Sequence, residues 1–239
     1  MRRLDLLVLA LAAMPLFGCA TTKVSLAGGP REYVPSDYSQ VLKRWTRNEE
    51  LIVLYDLDNK LTVTATFESY DFRWAYVVRY ASDYRLTVEQ RRELLQKALS
   101  ETDESHEFYV ALYGTNRRWT DLVKPTSAWI VRLIDDLGNE TAPRKIEYIE
   151  RPGAIERRYF PYTTVWRQVF RIRFPRTTPD GRPTIATNAR WFGLRFAGAE
   201  GNEELRWELE PAEGQQRPPG GTAALHPRED LEQRRTSHE

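Results

Sequence analysis

The sequence predicts a mainly β fold, an immunoglobulin-like two-sheet sandwich with an inserted helical pair and a short N-terminal helix. From His106 onward, apolar and polar residues alternate along several short segments, which is typical of half-buried strands, and turn residues separate these segments. Before His106, apolar residues recur at helical spacing in three places. Several strands that each have one apolar face are best satisfied when two sheets pack together.

Residues 1–18 have the layout of an export signal. Arg2 and Arg3 give a positive start, and an apolar stretch follows from Leu6 to Phe17. This stretch is shorter than the roughly 20 residues that a transmembrane helix needs. We therefore predict that residues 1–18 are a signal peptide that is removed on export.

The end of this segment, Leu16-Phe17-Gly18-Cys19, resembles the lipobox of bacterial lipoproteins. In that family the cysteine becomes the first residue of the mature chain, and its sulfur carries a diacylglycerol. The resemblance implies lipidation of Cys19 with palmitate-type chains, which hold a protein durably on a membrane. In that family, an Asp directly after the cysteine resembles an inner-membrane retention signal. This chain has Ala20 at that position. The resemblance therefore implies a cell-envelope protein on the outer membrane, facing the periplasm.

Composition predicts a flexible segment on each side of the folded domain. Residues 19–35 have few apolar side chains and contain Gly28-Gly29-Pro30, so we expect a flexible tether. Residues 211–239 have many charges and no aromatic residue, so they cannot bury enough apolar surface to offset chain ordering. We expect a disordered tail there and a single β-rich domain over 36–210.

Three helices are predicted before the main strands. Apolar residues spaced i, i+3, i+4 and i+7 predict a short helix, and they are Tyr38, Val41, Leu42 and Trp45. The segment Phe72 to Tyr84 fits both a strand and a helix, and Ser69 as a cap favours the helix. Thr87 and Gln90 form a capping-box pattern before a further apolar stripe, whose members are Leu94, Leu95, Ala98 and Leu99.

A β-hairpin is predicted between the first two of these helices. Leu51–Tyr55 and Leu61–Phe67 are strand-like and flank the polar residues 56–60. Asp56, Asp58 and Asn59 resemble a calcium loop only faintly, because the Gly and the distant Glu of an EF-hand are missing. We therefore favour a turn.

The later strands are predicted from period-two alternation. Their expected inward residues are Phe108, Val110, Leu112, Trp129, Val131, Leu133, Trp166, Phe170, Ile172, Phe174, Phe192, Leu194, Phe196, Leu205, Trp207 and Leu209. Gly201 and Asn202 are expected to turn the chain between the last two strands.

Composition excludes several classes of function. The chain has 35 basic and 34 acidic residues, so no global positive field draws it to nucleic acid. Cys19 is the only cysteine, and His106 is the only histidine in the predicted domain. A histidine-based triad or multi-histidine metal site is therefore disfavoured, and we predict no metal and no cofactor. His106 is expected at the surface or at a strand edge.

The most specific polar feature is a row of arginines on one face of a predicted strand, Arg167, Arg171 and Arg173. We predict cross-strand ion pairs with an alternating acidic row, which consists of Glu204, Glu208 and Glu210. An anion-binding role is the alternative. Four carboxylates could also converge in space for glycoside hydrolysis, namely Glu68, Asp71, Glu147 and Glu150.

These observations lead to three hypotheses. The first is a lipid-anchored, non-catalytic module that binds an envelope protein or supports an assembly. The second is a module that binds cell-wall glycan or another saccharide through exposed rings such as Trp119 or Tyr109. The third hypothesis is a hydrolase. It ranks last because no catalytic motif supports it.

Overall fold

The computed structural model describes residues 22–53 and 58–211. The predicted signal peptide, Cys19 and residues 20–21 lie outside the described residues. The same holds for 54–57, which include Asp56 of the calcium-like pattern, and for 212–239 of the predicted tail.

Within the described residues the chain forms nine strands and four α-helices. In chain order these are α1 (Tyr38–Trp45), β1 (Thr46–Val53), β2 (Asp58–Phe67), α2 (Tyr70–Asp83), α3 (Val88–Glu104), β3 (Ser105–Tyr113), β4 (Trp129–Asp135), β5 (Glu140–Thr141), β6 (Lys145–Ile149), α4 (Ala154–Tyr159), β7 (Gln168–Pro175), β8 (Trp191–Gly198) and β9 (Gly201–Glu208). A 3₁₀ turn, Pro35–Asp37, precedes α1. The prediction of a mainly β protein is confirmed.

The strands form two antiparallel sheets. The first has the order β1-β2-β3-β7-β6, and the second has the order β5-β4-β8-β9. The predicted hairpin is present as the β1–β2 pair, in which Leu51 faces Leu61 and Thr46 faces Thr66. Helices α2 and α3 connect β2 to β3, while α4 lies between β6 and β7.

Aromatic side chains from the two sheets meet in the core. The rings of Phe67 and Phe192 lie 5.0 Å apart, and those of Phe108 and Trp207 lie 5.6 Å apart. Burial of each such side chain stabilises the fold by about 1.5–3 kcal/mol. Trp207 also donates a hydrogen bond from Nε1 to the carbonyl of Trp45, 2.9 Å away. The alternation that predicted inward residues therefore identifies most of this core.

The opposite face of the first sheet is also buried. The threonine row of β2 contacts the segment that leads into β7, because Thr66 Oγ1 lies 2.6 Å from Tyr162 Oη and Thr64 accepts a hydrogen bond from Arg167. The ring of Tyr109 stacks on Phe160 with centroids 3.8 Å apart. Chain segments thus cover a face that a simple polar–apolar alternation would leave in water.

Local capping signals set where the two long helices begin. The Ser69 hydroxyl accepts a hydrogen bond from the Phe72 amide at 3.1 Å, which starts α2 where the sequence predicted. Thr87 and Gln90 bond reciprocally, Gln90 N to Thr87 Oγ1 at 3.2 Å and Thr87 N to Gln90 Oε1 at 3.0 Å. This capping box starts α3, again as predicted.

The described part of the predicted tether packs against the domain. Val24 is buried and forms a parallel bridge with Leu209 beside β9. The Arg31 Nε and Tyr33 Oη donate hydrogen bonds to Asp71 of α2, at 3.1 and 2.6 Å. From residue 22 onward, the chain is therefore held by specific contacts.

Three elements were not predicted from the sequence: β5, β6 and α4. They have two, five and six residues, which is too short for a clear periodic signal. In the parts of the chain that the structure describes, no helix has the length and apolar character needed to cross a membrane.

Candidate functional site

The predicted partners of the arginine row are wrong. Strand β7 lies between β3 and β6 in the first sheet, whereas β9 pairs with β8 in the second. Arg171 and Arg173 instead reach carboxylates that follow β2 or lie on β3 and β6. Arg167 precedes β7 and donates to Thr64. Glu204, the first residue of the predicted acidic row, pairs with two arginines of its own sheet, Arg195 and Arg206.

The side chains around Arg171 and Arg173 form an ion cluster of four carboxylates and four cations. Its members are Glu68, Arg73, Glu101, Glu107, Lys145, Glu147, Arg171 and Arg173. Glu107 is its centre and lies 3.0 Å from Arg73 Nη2, 2.8 Å from Arg171 Nε and 3.1 Å from Arg173 Nε. Glu107 was not among the residues predicted from the sequence.

Burial and ion pairing oppose each other in this cluster. The pKa of Glu68 is raised, because burial penalises its charged form more than Arg73 and Arg171 stabilise it. Each carboxylate has a cationic partner, so the cluster presents no surplus charge to an anionic ligand. We therefore assign the ion cluster a structural role, in which it joins α2 and α3 to the first sheet.

A surface groove of about 470 Å³ adjoins the ion cluster. Glu101, Glu107 and Arg173 line it and are already paired within the cluster. Glu104 and Arg144 add one charge of each sign. Six charged side chains of both signs and Ser105 line this groove, so the lining does not distinguish a ligand class.

The four carboxylates proposed for hydrolysis do not converge at one site. Glu68 and Glu147 belong to the ion cluster, whereas Asp71 binds Arg31, Tyr33 and Trp45. Glu150 is exposed directly after β6. Burial opposes ionisation of Asp71, but these hydrogen bonds outweigh it and lower its pKa. Asp71 thus holds the N-terminal segment on the domain.

His106 is buried, not at the surface or edge as expected. It is 5% exposed, its ring centroid lies 5.9 Å from that of Phe67, and its Nδ1 has no hydrogen-bond partner. Burial, with a smaller contribution from Arg176, lowers its pKa to about 3. The imidazole therefore acts as an apolar, neutral group. Among residues 22–53 and 58–211, no group of three or more His, Cys, Asp or Glu is placed to hold a metal ion.

The rings proposed for saccharide contact differ in exposure. Tyr109 is fully buried and bonds Thr163, so its proposed contact role is wrong. Trp119 is 45% exposed. Trp166 was expected in the core, yet it is 75% exposed. The reason is that β7 begins at Gln168, which pairs with Leu112, so Trp166 precedes the sheet.

Trp166 lines a small pocket at one end of the first sheet. The pocket has a volume of about 180 Å³, and we call it the Trp166 pocket. Its lining residues are Leu112, Tyr113, Gly114, Thr115, Arg117, Thr120, Trp166 and Gln168. They come from the end of β3, the loop that follows β3, and the start of β7. Two aromatic rings, one guanidinium and one amide therefore meet at a single concave surface.

The amide of Gln168 is the distinctive polar group of this pocket. Gln168 is only 4% exposed, and its Oε1 accepts a hydrogen bond from Thr120 Oγ1 at 2.5 Å. Within the described part of the chain, its Nε2 donates to no protein group. Arg117 uses one nitrogen, Nη2, to reach Tyr148 at 3.1 Å. The pocket thus has hydrogen-bond donors that the protein itself does not use.

Comparisons with known proteins identify no function. No protein-family model matches the sequence, and no curated protein is significantly similar to it. Among solved structures, the chain is similar to the crystal structure of a novel protein of unknown function from Burkholderia pseudomallei K96243, with 12% identity and a TM-score of 0.35. The similarity covers 74% of this chain and 90% of that one.

Proposed function

We propose that this chain is a lipid-anchored, non-catalytic binding module of the cell envelope, and that it binds a cell-wall saccharide at the Trp166 pocket. The observation that carries the proposal is the exposed indole of Trp166 in one concave surface with the Gln168 amide, whose Oε1 is held by Thr120. Ligand sites combine apolar and aromatic walls with a few placed polar groups, and this pocket has both.

The surroundings of Trp166 support a rigid contact surface. An exposed indole forgoes about 1.5–3 kcal/mol of burial. The two residues that follow it are held in place, since Arg167 donates to Thr64 and Gln168 pairs with Leu112. The backbone on the C-terminal side of Trp166 is therefore fixed, so less backbone ordering accompanies complex formation.

The predicted anchor would hold the module close to the membrane. Val24 is seated on the domain beside Leu209, and it lies five residues after Cys19. An extended connection of that length spans at most about 18 Å. We propose that a diacylated Cys19 holds this side of the domain near the outer membrane, facing the periplasm. Mass spectrometry of the N-terminal peptide from membranes tests this, with Cys19→Ala as control.

Sedimentation with purified cell-wall sacculi tests the binding proposal. The detergent-solubilised full chain is expected to co-sediment, and Trp166→Ala is expected to remain in the supernatant. Trp119→Ala is the matched control, because this exposed indole does not line the Trp166 pocket. Equal sedimentation of the wild type and Trp166→Ala, or none of either, would contradict the proposal.

An envelope protein partner is the second candidate. Large apolar side chains are exposed near the pocket on the two loops that line it, namely Trp119, Val123 and Val165. Such side chains are typical of protein contact surfaces. Crosslinking in intact membranes, followed by mass spectrometry, tests this candidate. A protein captured by the wild type and lost in Val165→Asp would support it.

We also propose that the two sheets form a sandwich of immunoglobulin-like layering, with α2 and α3 as the inserted helical pair. Support comes from the aromatic contacts between sheets and from the three places where the chain crosses between them, after β3, β5 and β7. An experimental structure compared with immunoglobulin-like domains tests this assignment.

A further inference from the structure

We propose that the Trp166 pocket binds a sugar ring that carries a carboxylate, and that it binds such an acidic sugar more tightly than a neutral one. This inference rests on the proposed saccharide-binding function and specifies its ligand class. Two observations carry it: the single sign of charge in the pocket, and the guanidinium of Arg117, which has no carboxylate partner within the described part of the chain.

The charge in the pocket has one sign. Arg117 is the one charged residue among the described residues that line it. The groove beside the ion cluster differs, because three acidic and three basic side chains line it. In a concave surface whose charges have one sign, the walls focus the field and attract ligands of the opposite sign. The Trp166 pocket therefore favours an anionic ligand.

The guanidinium of Arg117 is held in place but is not neutralised. Its Nη2 donates to the hydroxyl of Tyr148 on β6 at 3.1 Å, and this neutral partner leaves the positive charge uncompensated. Among residues 22–53 and 58–211, the Arg117 Nε and Nη1 donate to no protein group. Arg171 and Arg173 differ, since both pair with Glu107. Arg117 thus keeps donors and a charge that a ligand can use.

A carboxylate matches this cation better than a phosphate does. The planar guanidinium presents N–H groups in a fork whose geometry suits the two oxygens of a carboxylate. The single charge of a carboxylate equals that of Arg117. A phosphate monoester carries about −1.5 to −2 at pH 7, so part of its charge would stay unmatched in a pocket with one lining cation.

The size of the pocket limits the ligand to one ring at a time. Its volume of about 180 Å³ lies below the roughly 300 Å³ at which pockets for drug-sized ligands begin. Trp166 and Tyr113 provide aromatic walls in the same concave surface as Arg117. One pyranose ring against the indole, with a carboxylate towards Arg117, uses both the aromatic and the charged part of this surface.

The test compares two trisaccharides that share the same β-1,4 linkage. Cellotriose is neutral, whereas the glucuronic acid trisaccharide carries a carboxylate at C6 of each ring. Isothermal titration of the full chain in a non-ionic detergent at low salt is expected to give an affinity about fivefold higher for the acidic sugar, which is typical of one exposed ion pair. In about 1 M NaCl the Debye length falls to about 3 Å, so this ratio is expected to decrease towards one.

Arg117→Gln tests the guanidinium itself. This variant removes the charge but keeps a side-chain amide donor, and the ratio of the two affinities is expected to fall to about one. Arg118→Gln is the matched control, because this neighbouring exposed arginine does not line the pocket, and it is expected to keep the ratio. An equal loss of the ratio in both variants would assign the preference to general surface charge and overturn the inference.

The two sugars also separate this inference from the function on which it rests. Equal binding of both by the wild type would overturn the preference for acidic sugars and leave the proposed saccharide function standing. Absence of binding to either sugar would overturn both. Because the wild-type chain alone decides between these outcomes, they do not depend on the folding of a variant.

Discussion

Stability is expected to lose part of its dependence on pH when His106 is replaced by phenylalanine. Burial lowers the pKa of the folded His106 to about 3, whereas an exposed imidazole titrates near 6.5. Between these two values, the unfolded chain binds a proton that the folded chain does not. The contribution of His106 is therefore complete above about pH 6.5, decreases as the pH falls, and levels off below about pH 3.

The size of this effect follows from the pKa difference. Each pH unit inside the window is worth about 1.4 kcal/mol, so acidification from pH 7 to pH 5 removes about 2 kcal/mol from the free energy of unfolding. Phenylalanine suits the site because the ring of Phe67 is nearby and the His106 Nδ1 makes no hydrogen bond that could be lost.

Urea unfolding of the full chain at pH 7, 6 and 5 measures the effect. The wild type is expected to lose about 2 kcal/mol more than His106→Phe over this range. Phe67→Leu is the matched control, because it changes the packing around the imidazole but keeps the titrating group. The reasoning is refuted if wild type and His106→Phe lose stability in parallel, since the folded imidazole would then titrate like an exposed one.

Three further changes test the ion cluster, a helix cap and the pocket. Glu107→Gln is expected to destabilise the chain by about 3–5 kcal/mol in urea unfolding, because it leaves the buried Arg73 without its central partner. The half-exposed Glu147→Gln is the control and is expected to change stability by less than about 1 kcal/mol. Thr87→Ala is expected to cost about 1 kcal/mol in the same assay, and no change would refute the capping box. Gly114→Ala places a Cβ 2.7 Å from Thr120 Cγ2 and is expected to weaken saccharide binding in titration; unchanged binding would remove Thr120 from the account.

Local signals were the most dependable part of the sequence. The caps at Ser69 and Thr87 each join a side chain to an amide three residues later. The residues that form each cap are therefore close together in the sequence. The alternation through Phe108, Val110 and Leu112 likewise needs only the period of one strand. These signals gave the helices α2 and α3 and most of the strands that build the core.

Pairing between distant strands could not be predicted in the same way. The acidic alternation in β9 matched Arg171 and Arg173 in sign and spacing. Their true partners are Glu68, Glu107 and Glu147, which follow β2 or lie on β3 and β6. Sheet order depends on how the whole chain closes, and no charge pattern within β7 contains that information. Glu107 lies beside His106 in an ordinary strand and gave no signal of its own.

Burial was mispredicted at Tyr109, His106 and Trp166. Tyr109 and His106 were expected to reach the surface, but Phe160 stacks on Tyr109 and the ring of Phe67 lies beside His106. Trp166 has the same parity as Phe170, so alternation placed it inward. Its exposure arises because β7 starts two residues later. The candidate binding site is therefore at a strand boundary, the least predictable part of an element.

A crystal structure of the full chain with N-acetylglucosamine trisaccharide tests the central claim most directly. The account predicts one sugar ring against the indole of Trp166. A trisaccharide bound at the groove beside the ion cluster, or an empty Trp166 pocket at saturating sugar, would contradict it.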